Sequence, residues 1–205
     1  QGVGFVGSTA IAEYVYSRGT ANGKRVQCFG GAKNHMIVMP DADMDGAAQA
    51  AIDQGLGTCG QRCTSTRRVF IDKSIFGEFK ETLVKAYGSL ESRIGHPLDE
   101  ETLIGPLIDR AAVDGMQTSL KEVQAEGGTL LFGGEVLSGK GYETGTYVMP
   151  AVVEAKNEYK TVQKETFAPI LYLIPYDNLK EAVAMHNDVP QGLSSAIFTE
   201  NMKEA

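Results

Sequence analysis

Short, unbroken apolar runs alternate with helix-period segments along this chain, and that alternation restricts the fold more than any other feature of the sequence. Met36–Met39, Val69–Ile71, Thr129–Phe132, Tyr147–Glu154, Pro169–Tyr176 and Ser194–Thr199 read as strands, as does the short Phe5-Val6. Pro169–Tyr176 is nearly all apolar and is expected at the centre of a sheet, because strands buried on both faces lose the polar alternation of half-exposed ones. Between these runs lie helical stretches. One follows Gly7-Ser8-Thr9 through about Arg18, capped by Ser8 or Thr9, and an alanine-rich one covers Met44–Leu56. Two more are marked by Ile75, Phe76, Phe79, Leu83 and Tyr87, and by Val113, Met116, Leu120 and Val123 with a stop at Gly127-Gly128. Leu179, Ala182, Val183 and His186 mark a short one before Pro190. The expected fold is α/β, three-layered, with a mostly parallel twisted sheet.

The 205 residues suffice for one large domain, or one domain and part of another. Acidic residues outnumber basic ones 26 to 19, for a net charge of −7, and no basic run interrupts that balance. Nucleic acid is therefore not an expected partner. No apolar stretch reaches the 18 or so residues that span a bilayer, so no membrane partner is expected either. Three cysteines, at 28, 59 and 63, are too few for a disulfide framework; they point to a reducing compartment, the cytoplasm or, in a eukaryote, the mitochondrial matrix. Cys59 and Cys63 lack the companions a zinc site needs, and no metal is expected. His35, His96 and His186 are scattered and read as packing or surface residues. The termini suggest an excised portion of a longer protein, since the chain opens on Gly2-Val3-Gly4 without an initiator methionine.

Four segments carry residue types suited to chemistry. Gly60-Gln61-Arg62-Cys63-Thr64-Ser65-Thr66 places a thiol after an arginine in a loop of small and hydroxylated residues, with glycines at 55, 57 and 60 for sharp turning. Reactive thiols need such an electropositive, partly open setting, whereas inert ones sit among large apolar groups. Gly7-Ser8-Thr9, between a strand and a helix, offers backbone N–H groups to a phosphate, although the same residues also make an ordinary turn. Gly30-Gly31-Ala32-Lys33-Asn34 allows close approach to a ligand or to another backbone, or is a tight turn. Glu165-Thr166-Phe167-Ala168-Pro169 sets a carboxylate and a ring two residues apart, suited to a ribose diol and a flat ring; the plain alternative is a surface loop. Ligands of α/β sheets gather at the carboxyl ends of strands, and this segment is expected there.

Together these segments resemble the aldehyde dehydrogenase superfamily, whose Phe-x-Gly-Ser, Gly-Gly-Lys-Asn, Gly-Gln-x-Cys and Glu-x-Phe-Ala-Pro signatures are matched in that order by Phe5–Ser8, Gly30–Asn34 (with Ala32 between the glycine pair and Lys33), Gly60–Cys63 and Glu165–Pro169. Gly105-Pro106-Leu107, Glu126-Gly127-Gly128-Thr129 and Gly192-Leu193-Ser194 agree. The resemblance implies that Cys63 attacks an aldehyde as a thiolate, giving a thiohemiacetal and then a thioester, with its own N–H as one oxyanion donor. It implies NAD held by Gly7, Ser8 and Ile11, with Glu165 on the ribose and Phe167 beside the nicotinamide. It also implies a homo-oligomer in the full-length protein and a second oxyanion donor, an asparagine, lying before Gln1. Residues 1–29 are expected to be the C-terminal portion of the NAD-binding domain, and 30–205 the catalytic domain without its oligomerisation tail.

One position departs from the family pattern. Most members carry a glutamate ahead of the glycine pair as general base toward water, and here Phe29 or Cys28 stands there, depending on how the glycines are matched. The coenzyme A-acylating methylmalonate-semialdehyde dehydrogenases also lack it, and residues 5–43 resemble that branch. From about Gly57 onward the chain is more similar to the α-aminoadipate-semialdehyde dehydrogenases, which hydrolyse their thioester. Transfer of the acyl group to coenzyme A is the favoured expectation, with hydrolysis and a non-catalytic structural module as the alternatives.

Overall fold

The computed structural model describes residues 2–205, which divide into two compact units, the first ending at Ala32 and the second running Lys33–Ala205. In the first unit, β1 (Gly2–Val6) and β2 (Arg25–Phe29) pair in parallel and are joined by α1 (Thr9–Ala21). Strand β2 was not expected: its polar residues Arg25 and Gln27 alternate with Val26 and Cys28, and five residues with such weak apolar content hide a half-covered strand. Helix α1 continues past Arg18 because Gly19, which resembles a stop signal, lies inside it, where Val26 leaves no room for a larger residue. Gly30 is likewise closed in, since a Cβ there would meet the Thr9 backbone at 3.0 Å. The close approach allowed by this glycine is thus to another backbone.

The second unit is built on a six-stranded sheet ordered β5-β6-β7-β4-β3-β8, comprising β3 (His35–Val38), β4 (Arg68–Asp72), β5 (Thr129–Phe132), β6 (Ala151–Glu154), β7 (Ile170–Tyr176) and β8 (Ser195–Phe198). All neighbours are parallel except β5 and β6. Val69, Phe70 and Ile71 are successive and wholly buried, which requires cover on both faces and makes the unit three-layered. That cover comes from α2 (Met44–Leu56), α3 (Phe76–Gly88), α4 (Arg110–Ala125), the short α5 (Lys160–Gln163) and α6 (Leu179–Asn187). Periodic apolar residues of the helices fill the core: Ala47, Ala51 and Ile52 from α2, Phe79, Leu83 and Tyr87 from α3, Val113, Met116 and Val123 from α4. Helix α5 and a 3-10 turn at Glu91–Arg93 are too short to leave a periodic trace. The strand expected from Tyr147 begins only at Ala151, because Pro150 has no N–H for the ladder; Tyr147–Met149 instead bond the bulged segment around Gly134–Leu137.

The parallel register aligns the amino ends of four strands: His35 pairs with Arg68 and with Ser195, and Arg68 with Tyr172. The loops before β3, β4, β7 and β8 therefore enter the sheet side by side. This corrects the expectation that segment 165–169 lies at carboxyl ends, because it precedes β7 and so delivers its side chains to the amino edge.

Candidate active site

The loop bearing Cys63 leaves α2 through a tight turn in which Cys59 (φ 53°) and Gly60 (φ 66°) both take left-handed conformations. Of the three glycines expected to bend this loop, only Gly60 does so. Gly55 lies within α2, and Gly57 has ordinary helical angles. A Cβ on Gly60 would come within 2.3 Å of the Ala168 carbonyl oxygen, so this loop and the segment before β7 are in backbone contact.

Polar side chains then fasten the loop from three directions. The Asn34 side chain donates to the carbonyls of Cys63 (2.5 Å) and Ser65 (2.9 Å) and accepts from the Ser194 N–H (3.1 Å). Gln61 donates to the Pro106 carbonyl (3.2 Å) and accepts from the Ile108 N–H (2.8 Å). Arg67, only 1% exposed, donates to the carbonyls of Gly60 (2.7 Å), Arg62 (3.0 Å) and Ala168 (3.5 Å), and lies 3.8 Å from the Glu165 carboxylate. Its guanidinium also sits 5.3 Å from the centre of the Phe167 ring. Cys63 itself is half-buried, and among the described residues nothing accepts a hydrogen bond from its backbone N–H. A carbonyl oxygen turning into an oxyanion beside the thiol can use that uncommitted donor.

The electropositive setting expected from Arg62 has another source. Arg62 is exposed and only its main chain joins the network, whereas Arg67, Arg68 and Lys33 are buried. Arg68 donates to the carbonyls of Lys33, Met185 and His186 and to the Asn157 side chain. Lys33 donates to the Lys164 carbonyl (2.8 Å) and faces the Tyr172 ring. Burial holds the Lys33 ammonium well below the usual lysine range, with the charges of Arg67 and Arg68 adding to the effect and Glu165 opposing it. Burial also lowers Arg67, against the opposing pull of Glu165, Tyr172 and Cys63, and brings Arg68 to about 10. None of these three stood out in the sequence as a site residue. The available signal was the Arg67-Arg68 pair directly before a strand as apolar as Val69-Phe70-Ile71, where a charge must be buried and therefore bonded.

Two of the histidines are not scattered: the His35 and His186 rings meet edge to face with centres 3.8 Å apart. Desolvation, His186 and Arg68 push His35 down to about 3, so it is neutral at physiological pH. The pairing joins the start of β3 to the end of α6, a juxtaposition no local pattern carries. Among the described residues no cluster of three His, Cys, Asp or Glu could hold a metal ion.

Cys63, Glu165 and Phe167 are thus brought together in the second unit, with the ring of Phe167 45% exposed along a cavity of about 700 Å³ also lined by Gly57, Cys59, Gln61, Leu107 and Ile108. Gly7, Ser8 and Ile11 lie in the first unit. Ser8 holds the N-cap position of α1 in extended conformation but makes no side-chain cap, and Thr9 accepts a hydrogen bond from the Gly31 N–H instead. The helix start therefore keeps N–H groups that no cap occupies, and Ile11 is half-exposed one turn along. Cys28 and Phe29 point to opposite sides of β2: Cys28 lines a hollow of about 290 Å³ against α1, and Phe29 is exposed.

Burial raises the Cys59 thiol to about 12. Iodoacetamide at pH 7.5 should therefore modify half-buried Cys63 while Cys59, 2% exposed and with its thiolate suppressed, stays essentially unlabelled. Peptide mapping checks this, and equal labelling of the two would contradict the geometry.

The sequence matches the model of the aldehyde dehydrogenase family over residues 1–205. It is 41% identical over 202 residues to a homologue of aldehyde dehydrogenase family 7 member A1 from Caenorhabditis elegans, covering 98% of this chain and 37% of that protein. With the alpha-aminoadipic semialdehyde dehydrogenase of Bos taurus it shares 38% over 199 residues, covering 97% of this chain and 36% of the other. Its structure is similar, at a TM-score of 0.94 and 34% identity, to a protein from Sinorhizobium meliloti 1021 described as a methylmalonate-semialdehyde dehydrogenase and complexed with NAD, over 99% of this chain and 42% of that one. The chain spans about two-fifths of the length of these relatives. With a match over its whole length and the signature thiol loop seated at the edge of the expected sheet, the chain belongs to the aldehyde dehydrogenase family.

Proposed function

We propose that the protein oxidises a semialdehyde with NAD through Cys63, and that the acyl group is then passed to coenzyme A. The observation that carries this reading is the thiol loop. Cys63 is half-buried, its backbone N–H has no acceptor among the described residues, and its loop is bonded through Arg67 to the segment bearing Glu165 and Phe167. The Cys63 sulfur adds to the aldehyde carbonyl, and its own N–H stabilises the oxygen that becomes negative. NAD, when bound, accepts the hydride that leaves the tetrahedral carbon. Within the first unit the uncapped start of α1 at Gly7 and Ser8 would suit a phosphate and half-exposed Ile11 an adenine; within the second, Glu165 would suit a ribose diol and the exposed ring of Phe167 a nicotinamide. Loss of hydride leaves a thioester on Cys63, and an acyl acceptor must release it.

Neither Cys28 nor Phe29 supplies a carboxylate to draw a proton from water, which supports a thiol acceptor over hydrolysis. The relative named as a methylmalonate-semialdehyde dehydrogenase is in keeping with that acceptor, whereas the one named as an alpha-aminoadipic semialdehyde dehydrogenase favours hydrolysis as the second reading. A homo-oligomer in a reducing compartment, with three free thiols, completes the proposal. Adding coenzyme A to the complete gene product during turnover of a semialdehyde should give acyl-CoA and raise the steady-state rate. Free acid formed at the same rate with and without coenzyme A would instead establish hydrolysis.

A further inference from the structure

We propose that Arg67 is a positioning residue that couples the cofactor-facing segment 165–168 to the nucleophile loop, so that occupancy at Glu165 and Phe167 re-aims the Cys63 thiol. This rests on the functional reading above and adds to it a route by which one half of the site informs the other. The guanidinium donates to Gly60 and Arg62, on the amino side of Cys63, and across the gap to Ala168, with the Glu165 carboxylate and the Phe167 ring on its remaining sides. A planar fork of fixed donors holds both segments in one geometry, whereas a lysine offers a single compact charge. Backbone contact between Gly60 and Ala168 leaves no slack for one segment to move without the other. The main chain of Arg67 is itself tied to β7, its carbonyl accepting from the Tyr172 N–H at 2.9 Å.

The energetics point the same way. Arg67 Nε is buried without a hydrogen-bond partner, and desolvation opposes the charge. Removing the guanidinium would leave the carbonyls of Gly60, Arg62 and Ala168 without this donor, so the group holds both segments in place at the cost of its own desolvation. The charged groups around it are Glu165, Lys33 and the titratable Tyr172 and Cys63, and of these Glu165 and Cys63 lie on the two segments being coupled.

The test measures the rate of Cys63 alkylation by iodoacetamide, read by peptide mapping, in the complete gene product with and without saturating NAD. In the native protein NAD should change that rate by about fivefold or more. In Arg67→Lys the ratio should collapse toward one, while kcat falls by about 10²-fold and KM for NAD rises, as expected when reacting groups are displaced by about 1 Å. A preserved NAD response in Arg67→Lys would overturn the inference, as would a variant that loses thermal stability but keeps kcat and KM. Should Arg67→Lys not fold, Phe167→Leu reads the same coupling from the far side, and an unchanged response there overturns it equally. A native thiol indifferent to NAD, in a protein that Cys63→Ala inactivates, sinks the coupling and leaves the functional reading standing; turnover that survives Cys63→Ala sinks that reading itself.

Discussion

Replacing Cys63 by alanine should lower aldehyde-dependent NADH formation by the complete gene product by about 10⁴-fold or more, with little change in folding. The magnitude follows from the role: a nucleophile that carries the acyl group cannot be substituted by the rest of the site, and removing such groups elsewhere costs several orders of magnitude. Folding should be spared because the contacts of this residue are made by its backbone. Its carbonyl accepts from Asn34, and the loop is otherwise held through the carbonyls of Gly60, Arg62 and Ser65 and the Gln61 side chain, none of which involves the sulfur. Thermal melting separates the two effects. Undiminished activity in a folded Cys63→Ala protein would remove the basis for the proposed chemistry.

The second large effect is expected at Gly60, where the damage is steric. A side chain there must occupy the left-handed region at φ 66°, at a cost of about 1–2 kcal/mol. Its Cβ would also press on backbone that cannot rotate away, 2.3 Å from the Ala168 oxygen and 2.8 Å from the Pro169 nitrogen. Overpacking of this kind adds about 1–3 kcal/mol. Gly60→Ala should therefore lower the melting temperature by roughly 5–15 °C for a chain of this size, and activity by about 10²-fold, because relief of the clash separates the two loops. Gly77→Ala and Gly115→Ala serve as controls: both lie in helices with nothing within 4 Å of the new carbon, and each should be neutral or slightly stabilising. A Gly60→Ala protein as stable and active as the native one would mean that the two loops are not in contact in solution.

The parts of this molecule that were legible in sequence are those recorded in short windows. Helix α2 occupies Met44–Leu56 as its alanine-rich pattern predicts, and β5 occupies Thr129–Phe132, bounded on either side by glycine pairs. Residues whose role depends on distant partners were not legible. The Arg67-Arg68 pair before an apolar strand signals burial, but the partners of Arg67 emerge only when β4 and β7 are placed side by side, and His35 meets His186 only through the packing of α6 at the start of β3. The strand end occupied by the site was misjudged for a similar reason, since the rule placing ligands at carboxyl ends describes other parallel sheets, while in this one Cys63 and Glu165 both precede their strands. Arg62 illustrates the converse: adjacency to the thiol in sequence suggested a charge partner, but a one-residue step in a loop turned the side chain to solvent.

Placement at the amino edge has an electrostatic consequence of its own. The chain entering β4, β7 and β8 comes from a helix, so the carbonyl-rich ends of α2 and α6, each carrying about half a negative charge, and the last carbonyls of the single-turn α5 are directed there. Such a rim repels anions and must be neutralised from within. Two buried guanidiniums and a buried amine lie against it: Arg68 on the last turn of α6, Arg67 on the turn that follows α2, and Lys33 on the carbonyl that ends α5. A polyphosphate finds no welcome from helix ends of that polarity, whereas the opposite pole of a helix is open at the start of α1. The start of α1 in the first unit is thus suited to a phosphate, and the amino edge of the sheet in the second carries positive charge of its own.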